Sequence, residues 1–122
     1  MGKWVASHVL DGALDLISGA DRMLAVSGQP GSYAAAWDGR LAEAPLGAGD
    51  FAKLPGAGSG RRISVAGKSG LSVRTAGVAD HVALVNSATE QLLYVTTCPE
   101  QQLVAGGTVS FDGWSVEIGA PL

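Results

Sequence analysis

The feature of the sequence that most constrains the fold is the dipeptide Asp112-Gly113, which separates two short runs of alternating apolar and polar residues. These runs occupy residues 108–111 and 114–118. Alternation with a period of two places every second side chain on the same face of a β-strand, and Asp-Gly between two such runs is a strong signal for a tight hairpin. The sequence therefore predicts two antiparallel strands that pair across Asp112-Gly113.

Further short β-runs precede this dipeptide. Apolar and polar residues alternate at 63–65 and again at 71–74, and the segment 68–70 has the composition of a tight turn between them. Two longer runs, at 81–85 and 91–97, are rich in β-branched and apolar residues and are separated by a loop of hairpin length. These patterns predict four more strands, of which the last two form a hairpin.

The first half of the chain carries weaker β signals. Short strands are predicted at 22–27, 41–46 and 50–54. Pro45 has no N–H to donate, so it confines the second of these strands to the edge of a sheet. The run 33–37 contains three alanines, and its five residues do not decide between helix and strand. Residues 55–60, with three glycines, predict a flexible loop.

One amphipathic helix is predicted at the start of the chain, over residues 4–17. Its apolar residues recur at the spacing that places side chains on one face of a helix. The members of this face are Val5, Val9, Ala13 and Leu16, with Leu10, Leu14 and Ile17 beside them. Gly19 favours termination after Ser18, because glycine adopts the left-handed conformation without strain. A helix of about four turns is not stable alone, so we expect it to pack on the rest of the domain or on another subunit.

These elements together predict the fold class. Roughly seven to nine short strands separated by turns are typical of an antiparallel β-sandwich or a small jelly-roll-like barrel. The N-terminal amphipathic helix would lie across one end or one face of it. A chain of 122 residues has the usual length of one domain. We therefore expect a single, mainly β domain over residues 1–122, with the β-rich part at 22–118.

Composition and charge argue against several classes of function. Only 16% of the residues are charged and the formal net charge is −3, whereas nucleic-acid binding requires a clustered excess of Lys and Arg. No apolar stretch reaches the length of about 18 residues expected of a transmembrane helix. We therefore expect neither nucleic acid nor a membrane as a direct partner. A chain poor in charge suits a protein that packs against neighbouring proteins.

Residues that could carry chemistry are few. Gly67-Lys68-Ser69 imitates the end of a phosphate-binding loop, but Arg62 occupies the position of the required earlier glycine, and a strand is predicted to follow in place of a helix. The two histidines, His8 and His81, and the single cysteine, Cys98, are too few for a convincing zinc site. The sequence therefore predicts no catalytic, cofactor-binding or metal-binding residue, and no enzyme.

Two pairs of neighbouring side chains have structural explanations. Asp80 and His81 are adjacent on a predicted strand, where successive side chains point to opposite faces, so we do not expect them to act as a pair. Asp11 and Asp15 lie one turn apart on the predicted helix. Like charges at this spacing are mildly unfavourable, so they indicate either a solvated face or contact with a basic patch on a partner.

Two parts of the chain resemble small virion structural proteins of tailed bacteriophages and prophages. The first part comprises residues 3–15, 23–30 and Tyr33, and the second comprises 79–85, 92–97, 104–109 and 114–118. The resemblance implies a homo-oligomeric virion subunit, assembled in the host cytoplasm, that binds the major capsid protein or other virion proteins. The implied role is a head decoration (cement) protein that stabilises the assembled head. A minor tail, neck or fibre component is the alternative.

A further hypothesis, from another class, is a β-sandwich module that binds a carbohydrate or a host surface. Such a module usually exposes aromatic side chains near carboxylates or amides, and Trp37-Asp38 is the candidate pair. Under the decoration hypothesis, the residues expected to contact the partner are aromatic or apolar. They are Trp4, Val5, Val9, Tyr33 and Trp37, together with the loop 55–60. No cofactor is expected.

Overall fold

The structure is a computed structural model, and it describes residues 5–119. Within this range a first helix, α1, spans Ser7–Ile17, and a short second helix, α2, spans Tyr33–Asp38. The strands of the described range are β1 Arg22–Val26, β2 Ala42–Pro45, β3 Phe51–Pro55, β4 Arg61–Val65, β5 Lys68–Ser72, β6 Gly77–Asn86, β7 Gln91–Leu103, β8 Thr108–Phe111 and β9 Trp114–Ile118.

The strands form three antiparallel sheets. One has four strands in the order β2-β1-β6-β7, one has three in the order β3-β4-β9, and the third pairs β5 with β8. A bridge between Ala42 and Val73 connects the first sheet to the end of β5. Buried side chains of the sheets share one core, with Met23, Val65 and Leu84 in contact within a single cluster. The predicted fold class is confirmed: the chain is mainly β, with antiparallel sheets in a sandwich-like arrangement and an N-terminal helix.

Several local predictions are also confirmed. β6 and β7 form the hairpin that the two longer runs predict, although both strands extend beyond those runs. β2 lies at the edge of its sheet, as Pro45 requires. The undecided run of alanines is helix α2. The Ser32 hydroxyl accepts a hydrogen bond from the N–H of Ala35 at 3.1 Å and so caps the start of that helix.

The segment 68–70 differs from its prediction as a turn between two strands. It belongs to β5, and the register of β5 against β8 shifts between Lys68 and Leu71. Gly70 adopts a φ of 68°, a backbone conformation that glycine reaches without strain. The glycine therefore marks an irregularity within a continuous strand.

The hairpin predicted at Asp112-Gly113 is wrong. β8 pairs with β5 and β9 pairs with β4, so the two strands that flank the dipeptide belong to different sheets. Val65 lies opposite Trp114, and Lys68 lies opposite Phe111. Because the chain advances by three residues on each side between these two pairs, the register is unchanged. β4–β5 and β8–β9 thus form one long antiparallel ribbon, which we call the bent ribbon.

Close backbone packing explains why Asp112-Gly113 forms a corner of the bent ribbon. A Cβ atom placed on Gly67 would lie 2.9 Å from the carbonyl oxygen of Phe111 and 3.0 Å from the amide nitrogen of Gly113. The corner at Gly67 and the corner at Asp112-Gly113 therefore pack backbone against backbone. Pairing along both strands of the ribbon supplies more hydrogen bonds than one two-residue turn, so the tertiary contact overrides the local turn preference.

Helix α1 packs on the sheet that contains β4 and β9. Leu14 is completely buried against Ile63 and Val116, and Ile17 packs on the same cluster. The helix begins at Ser7, since the residue before it, Ala6, has an extended backbone, and Val5 is not helical either. Residue 4, the predicted start, lies outside the described residues, but the prediction is wrong for Val5 and Ala6, which are not helical.

Only part of the predicted apolar face of α1 packs inward: Leu14 and Ile17 do, whereas Val9, Ala13 and Leu16 do not. Val9 and Leu16 are 56% and 72% exposed, and Ala13 is exposed as well. The helix has apolar residues on two sides, so periodicity alone does not determine its rotation. Burial of Leu14 sets it, and two ion pairs accompany it: Asp11 bonds Arg61 of β4 at 2.8 Å and Asp15 bonds Lys53 of β3 at 2.7 Å.

A matched pair of substitutions tests the orientation of α1. We expect Leu14→Ala to lower the free energy of unfolding by about 3 kcal/mol, because it leaves a cavity in a closed cluster. Leu16→Ala, on the exposed side of the same helix, should change it by less than about 0.5 kcal/mol. Chemical denaturation followed by circular dichroism measures both values. Equal losses in the two variants would contradict this orientation.

A second pair of substitutions tests the corner of the bent ribbon. Gly67→Ala should destabilise the fold by about 1–3 kcal/mol, because the added methyl group forces two backbone segments apart. Gly31→Ala is the control, since no described heavy atom lies within 4 Å of the Cβ position at Gly31. Thermal unfolding compares the two, and a Gly67→Ala protein as stable as the control would refute the backbone contact.

Candidate functional site

An open cleft of about 550 Å³ lies between β7 and the corner that joins β8 to β9. We call it the edge cleft. One wall consists of residues 96–99 and Gln101 of β7, and the other consists of residues 109–115. Ala25, Ala79 and Val82, which are almost completely buried, also line it. The edge cleft therefore has an apolar floor between two strand walls.

Both walls of the edge cleft are sheet edges. Among the strands between residues 5 and 119, β7 is an edge strand of the four-stranded sheet. β9 is an edge strand of the three-stranded sheet, and β8 is one of the two strands of the third sheet. Successive side chains of a strand point to opposite faces, yet consecutive residues, 96–99 and 109–111, line the two walls. The cleft therefore borders the edges of the strands, where backbone N–H and C=O groups are directed sideways.

Aromatic packing closes the gap between β7 and β9 at one end of the edge cleft. The rings of Tyr94 and Trp114 stack with their centroids 5.9 Å apart, and Ile17 of α1 packs on the cluster to which they belong. The indole N–H of Trp114 donates to the sulfur of Met23 at 3.4 Å. Helix α1 and these two rings thus fill the start of the gap, and the open part lies farther along β7.

A bulge shapes the β7 wall. Ala79 pairs with Gln101 and His81 pairs with Thr97, so residues 98–100 of β7 lie opposite the single residue Asp80. An extra pair of residues in one strand bends it locally and interrupts the regular pairing. Cys98 and Pro99 of this bulge line the edge cleft. Pro99 has a backbone C=O but no N–H, so this part of the edge can accept a hydrogen bond at that residue and cannot donate one.

The bulge also brings Asp80 and His81 together, and the expectation that they point apart is wrong. The Oδ1 atom of Asp80 lies 2.8 Å from Nδ1 of His81 and accepts a hydrogen bond from the N–H of Gly28 at 2.7 Å. A regular strand would separate the two side chains, but local twist at the bulge does not. The bonds from His81 and Gly28 hold the pKa of Asp80 below its ordinary value of 3.8. The pair joins β6 to the segment after β1.

Cys98 is a half-buried thiol in the wall of the edge cleft. Burial raises the pKa of the Cys98 thiol above its ordinary value of 9.0, and the negative charge of Asp80 raises the pKa further. The thiolate, which is the reactive form, is therefore scarce near neutral pH. This residue provides a chemical probe of access to the cleft.

The aromatic residues expected to contact a partner lie on the other side of the first sheet. Tyr33 and Trp37 of α2 stack with their ring centroids 5.7 Å apart, and the guanidinium of Arg40 lies 3.9 Å from the Trp37 ring centre. Both rings are half-buried and pack against a cluster that includes Leu24 and Val85. They cover this face of the sheet and leave only their outer surfaces accessible.

The apolar contact candidates at the start of the chain are placed differently from one another. Val9 is exposed on the outer side of α1, Val5 is half-buried, and Trp4 lies outside the described residues. Val9, Ala13 and Leu16 are spaced by four and three residues, so they form one continuous strip along the helix. We call this strip the outer stripe.

The acidic residues of α1 contact their own chain. The partner of Asp11 is Arg61 and the partner of Asp15 is Lys53, both from the sheet beneath the helix. The basic partners of these acids therefore belong to the same chain and not to a patch on another protein, and Asp15 is exposed, as a solvated face predicts. These pairs leave the outer stripe bordered by neutralised charges.

The sequence carries a signal for the edge cleft that residue-by-residue motif analysis does not use. All eight Lys and Arg residues lie between positions 3 and 74, whereas residues 75–122 contain five acidic residues and no Lys or Arg. The acidic part contains β6 to β9, which supply both walls of the edge cleft. Among the residues that line it, Asp112 is the one with a charged side chain. The cleft is therefore acidic and has no cation of its own.

Between residues 5 and 119, no group of three or more His, Cys, Asp and Glu side chains is arranged to hold a metal ion. None of the helices in that range has the length and apolar character needed to span a membrane.

The reactivity of Cys98 tests its environment. Because the thiol pKa is raised, alkylation by iodoacetamide at pH 8 should be slower in the folded protein than in urea. The rate should continue to rise as the pH passes the ordinary value of 9.0. Mass spectrometry at timed intervals measures the modification. A rate that reaches half its maximum below pH 9 would show that the thiol is not held in its protonated form.

Comparison of the chain with protein-family models, with curated proteins and with solved structures gives no match in any of the three.

Proposed function

We propose that this chain is a structural subunit of a tailed-phage virion. In the form we favour, it is a capsid decoration protein that binds the outside of the assembled head and stabilises it. The resemblance to small virion proteins, over residues 3–15, 23–30 and Tyr33 and over 79–85, 92–97, 104–109 and 114–118, supports this proposal. The structural observation that supports it best is the outer stripe, an apolar strip on a helix already packed through its other side.

The outer stripe has the properties of a protein-contact surface. Exposed apolar side chains are common singly, but a continuous strip at helical spacing can dock into a groove of another protein. Leu16 is 72% exposed and Val9 is 56% exposed, so burial of both would remove apolar area from water. The neighbouring carboxylates of Asp11 and Asp15 are already paired. A partner therefore does not have to desolvate an unpaired charge there.

Decoration of a lattice fits a contact surface of this kind. A single helix face buries less area than a standard stable interface, so the affinity of one contact is low. On an assembled head, a homo-oligomer makes several such contacts at once, and their combined strength is much greater. In this proposal the partner is the major capsid protein, and the chain acts through buried area and has no catalytic activity.

The carboxylates of the described residues support a structural role through the bonds they make. Asp50 accepts bonds from the ammonium group of Lys68 at 2.8 Å and from the N–H of Gly47 at 2.8 Å. Asp21 accepts bonds from the hydroxyl of Ser87 at 2.6 Å and from its N–H at 2.8 Å. Asp21 thus joins two segments that are distant in sequence, and Asp50 closes the turn at Gly47 and bonds to Lys68.

Binding to heads tests the proposal. Leu16→Asp should fold normally and lose at least about tenfold in affinity for mature heads, because it places a charge in an apolar contact. Val104→Asp is the matched control, since Val104 is 65% exposed in the loop between β7 and β8. Co-sedimentation with heads that lack the protein measures the binding, and free capsid subunits should bind far less well than assembled heads. Full binding by Leu16→Asp, or an equal loss in the control, would overturn the role of the outer stripe.

The number of copies per virion separates decoration from a tail role. A decoration protein that covers the head lattice should be present in hundreds of copies, on the order of one for each capsid subunit or cluster of subunits. Quantitative mass spectrometry of purified virions gives the number. A value of about three to twelve would contradict the decoration role and favour a neck, tail or fibre component.

A further inference from the structure

We propose that the edge cleft binds one extended polypeptide segment of a partner protein, which adds a strand to β7 and carries basic side chains. This inference concerns a surface separate from the outer stripe. It holds whether the chain decorates a head, belongs to a tail or has another role.

The shape of the edge cleft selects an extended backbone as its occupant. The walls are strand edges, and unpaired edges present alternating N–H and C=O groups along their length. An added strand, parallel or antiparallel to β7, would form hydrogen bonds with these groups at the regular spacing of a sheet. β7 has 13 residues, and residues 96–99 and 101 of it border the open part of the cleft. It therefore offers enough edge for a segment of several residues.

The floor of the edge cleft specifies every second side chain of the occupant. Ala25, Ala79 and Val82 are buried and apolar, and they form the floor between the walls. Alternate side chains of an added strand would point toward this floor, and the others would point to solvent. A volume of about 550 Å³ accommodates small or β-branched side chains on the inward side together with their backbone. The inward residues of the occupant are therefore apolar and of moderate size.

The charges around the edge cleft specify the outward side chains. Asp112 lies in one wall, and Glu100 is an exposed residue of the β7 bulge beside the other. Since residues 75–122 contain no Lys or Arg, this acidic surface has no cation from its own strands. Opposite charges attract a partner and set its register, whereas like charges disfavour it. The occupant therefore carries Lys or Arg on its outward side.

The same charges argue against a second copy of the chain pairing through β7. Two copies placed edge to edge would bring Glu100 and Asp112 of each near the same acidic groups of the other. Pro99 would also remove a hydrogen-bond donor from the middle of both edges. A basic segment of a different protein avoids the charge repulsion and meets one Pro99 in place of two, and we therefore assign the cleft to a heterologous partner.

The first experiment selects ligands from a display library of random twelve-residue peptides on the folded full-length protein. We expect recovered peptides to alternate β-branched residues with others that include Lys or Arg. Asp112→Lys should weaken their binding by about tenfold or more, and Asp38→Lys, an exposed acid at the end of α2, should not. Asp112→Asn, which keeps the size of the side chain, repeats the test should the lysine variant fail to fold.

The second experiment distinguishes strand addition from binding by side chains alone. In the tightest recovered peptide, single N-methylation should lower affinity by at least about tenfold at alternate positions and much less at the positions between them, because alternate N–H groups of a strand face each neighbour. The bound peptide should also slow alkylation of Cys98. The Leu16→Asp protein should bind the peptide normally. A defect in the outer stripe, which lowers binding to heads, is thereby distinguished from a defect in the edge cleft, which lowers binding to the peptide.

Each contrary result overturns a defined part of the inference. Failure to recover any peptide removes the site. Recovered peptides that bind Asp112→Lys as well as the wild-type protein, or that leave Cys98 fully reactive, bind elsewhere and contradict the edge cleft. Affinity that depends on Asp112 but shows no alternation under N-methylation contradicts strand addition.

Discussion

The backbone contact at the corner of the bent ribbon is the constraint on which the rest of the structure depends. At Gly67, the chain from β4 to β5 passes so close to the chain from β8 to β9 that a side chain has no room. This contact carries paired strands from one sheet into another without a change of register. It positions β9 beneath α1 and β8 beside the edge cleft, so both candidate surfaces depend on it.

Helix α1 combines an internal and an external role because it is apolar on two sides. Leu14 fills a closed cluster and contributes to stability, whereas Leu16, two residues later, lies in solvent. Burial of Leu14 holds the helix in this rotation, and Asp11 and Asp15 pair with basic residues of the sheet beneath it. The rotation leaves the outer stripe accessible while its carboxylate neighbours are neutralised. A helix that is anchored in this way presents its outer residues as a rigid surface, which reduces the entropy cost of binding.

The division of charge along the chain becomes a division of surfaces in the fold. Basic residues of the first 74 positions pair with acids of the same part of the chain, as Arg61 does with Asp11 and Lys68 with Asp50. The acidic second half supplies β6 to β9 and therefore the walls of the edge cleft. The neutral outer stripe and the acidic edge cleft differ in chemistry and in position. One small domain can therefore contact two partners, or two parts of one partner, by different physical means.

Local sequence signals determined much of the secondary structure, because alternation, helical spacing and turn residues act over a few positions. They predicted the mainly β fold, the hairpin of β6 and β7 and the edge position that Pro45 imposes on β2. The three-dimensional structure alone decided which strands became neighbours and which residues became surface. It converted Asp112-Gly113 from a hairpin turn into a corner, since pairing along the bent ribbon outweighs one local turn. It turned Leu14 inward and Val9 outward, and it brought residues 96–99 opposite residues 109–115 to form the edge cleft. These outcomes depend on contacts between residues distant in sequence, and no short window of the chain contains them.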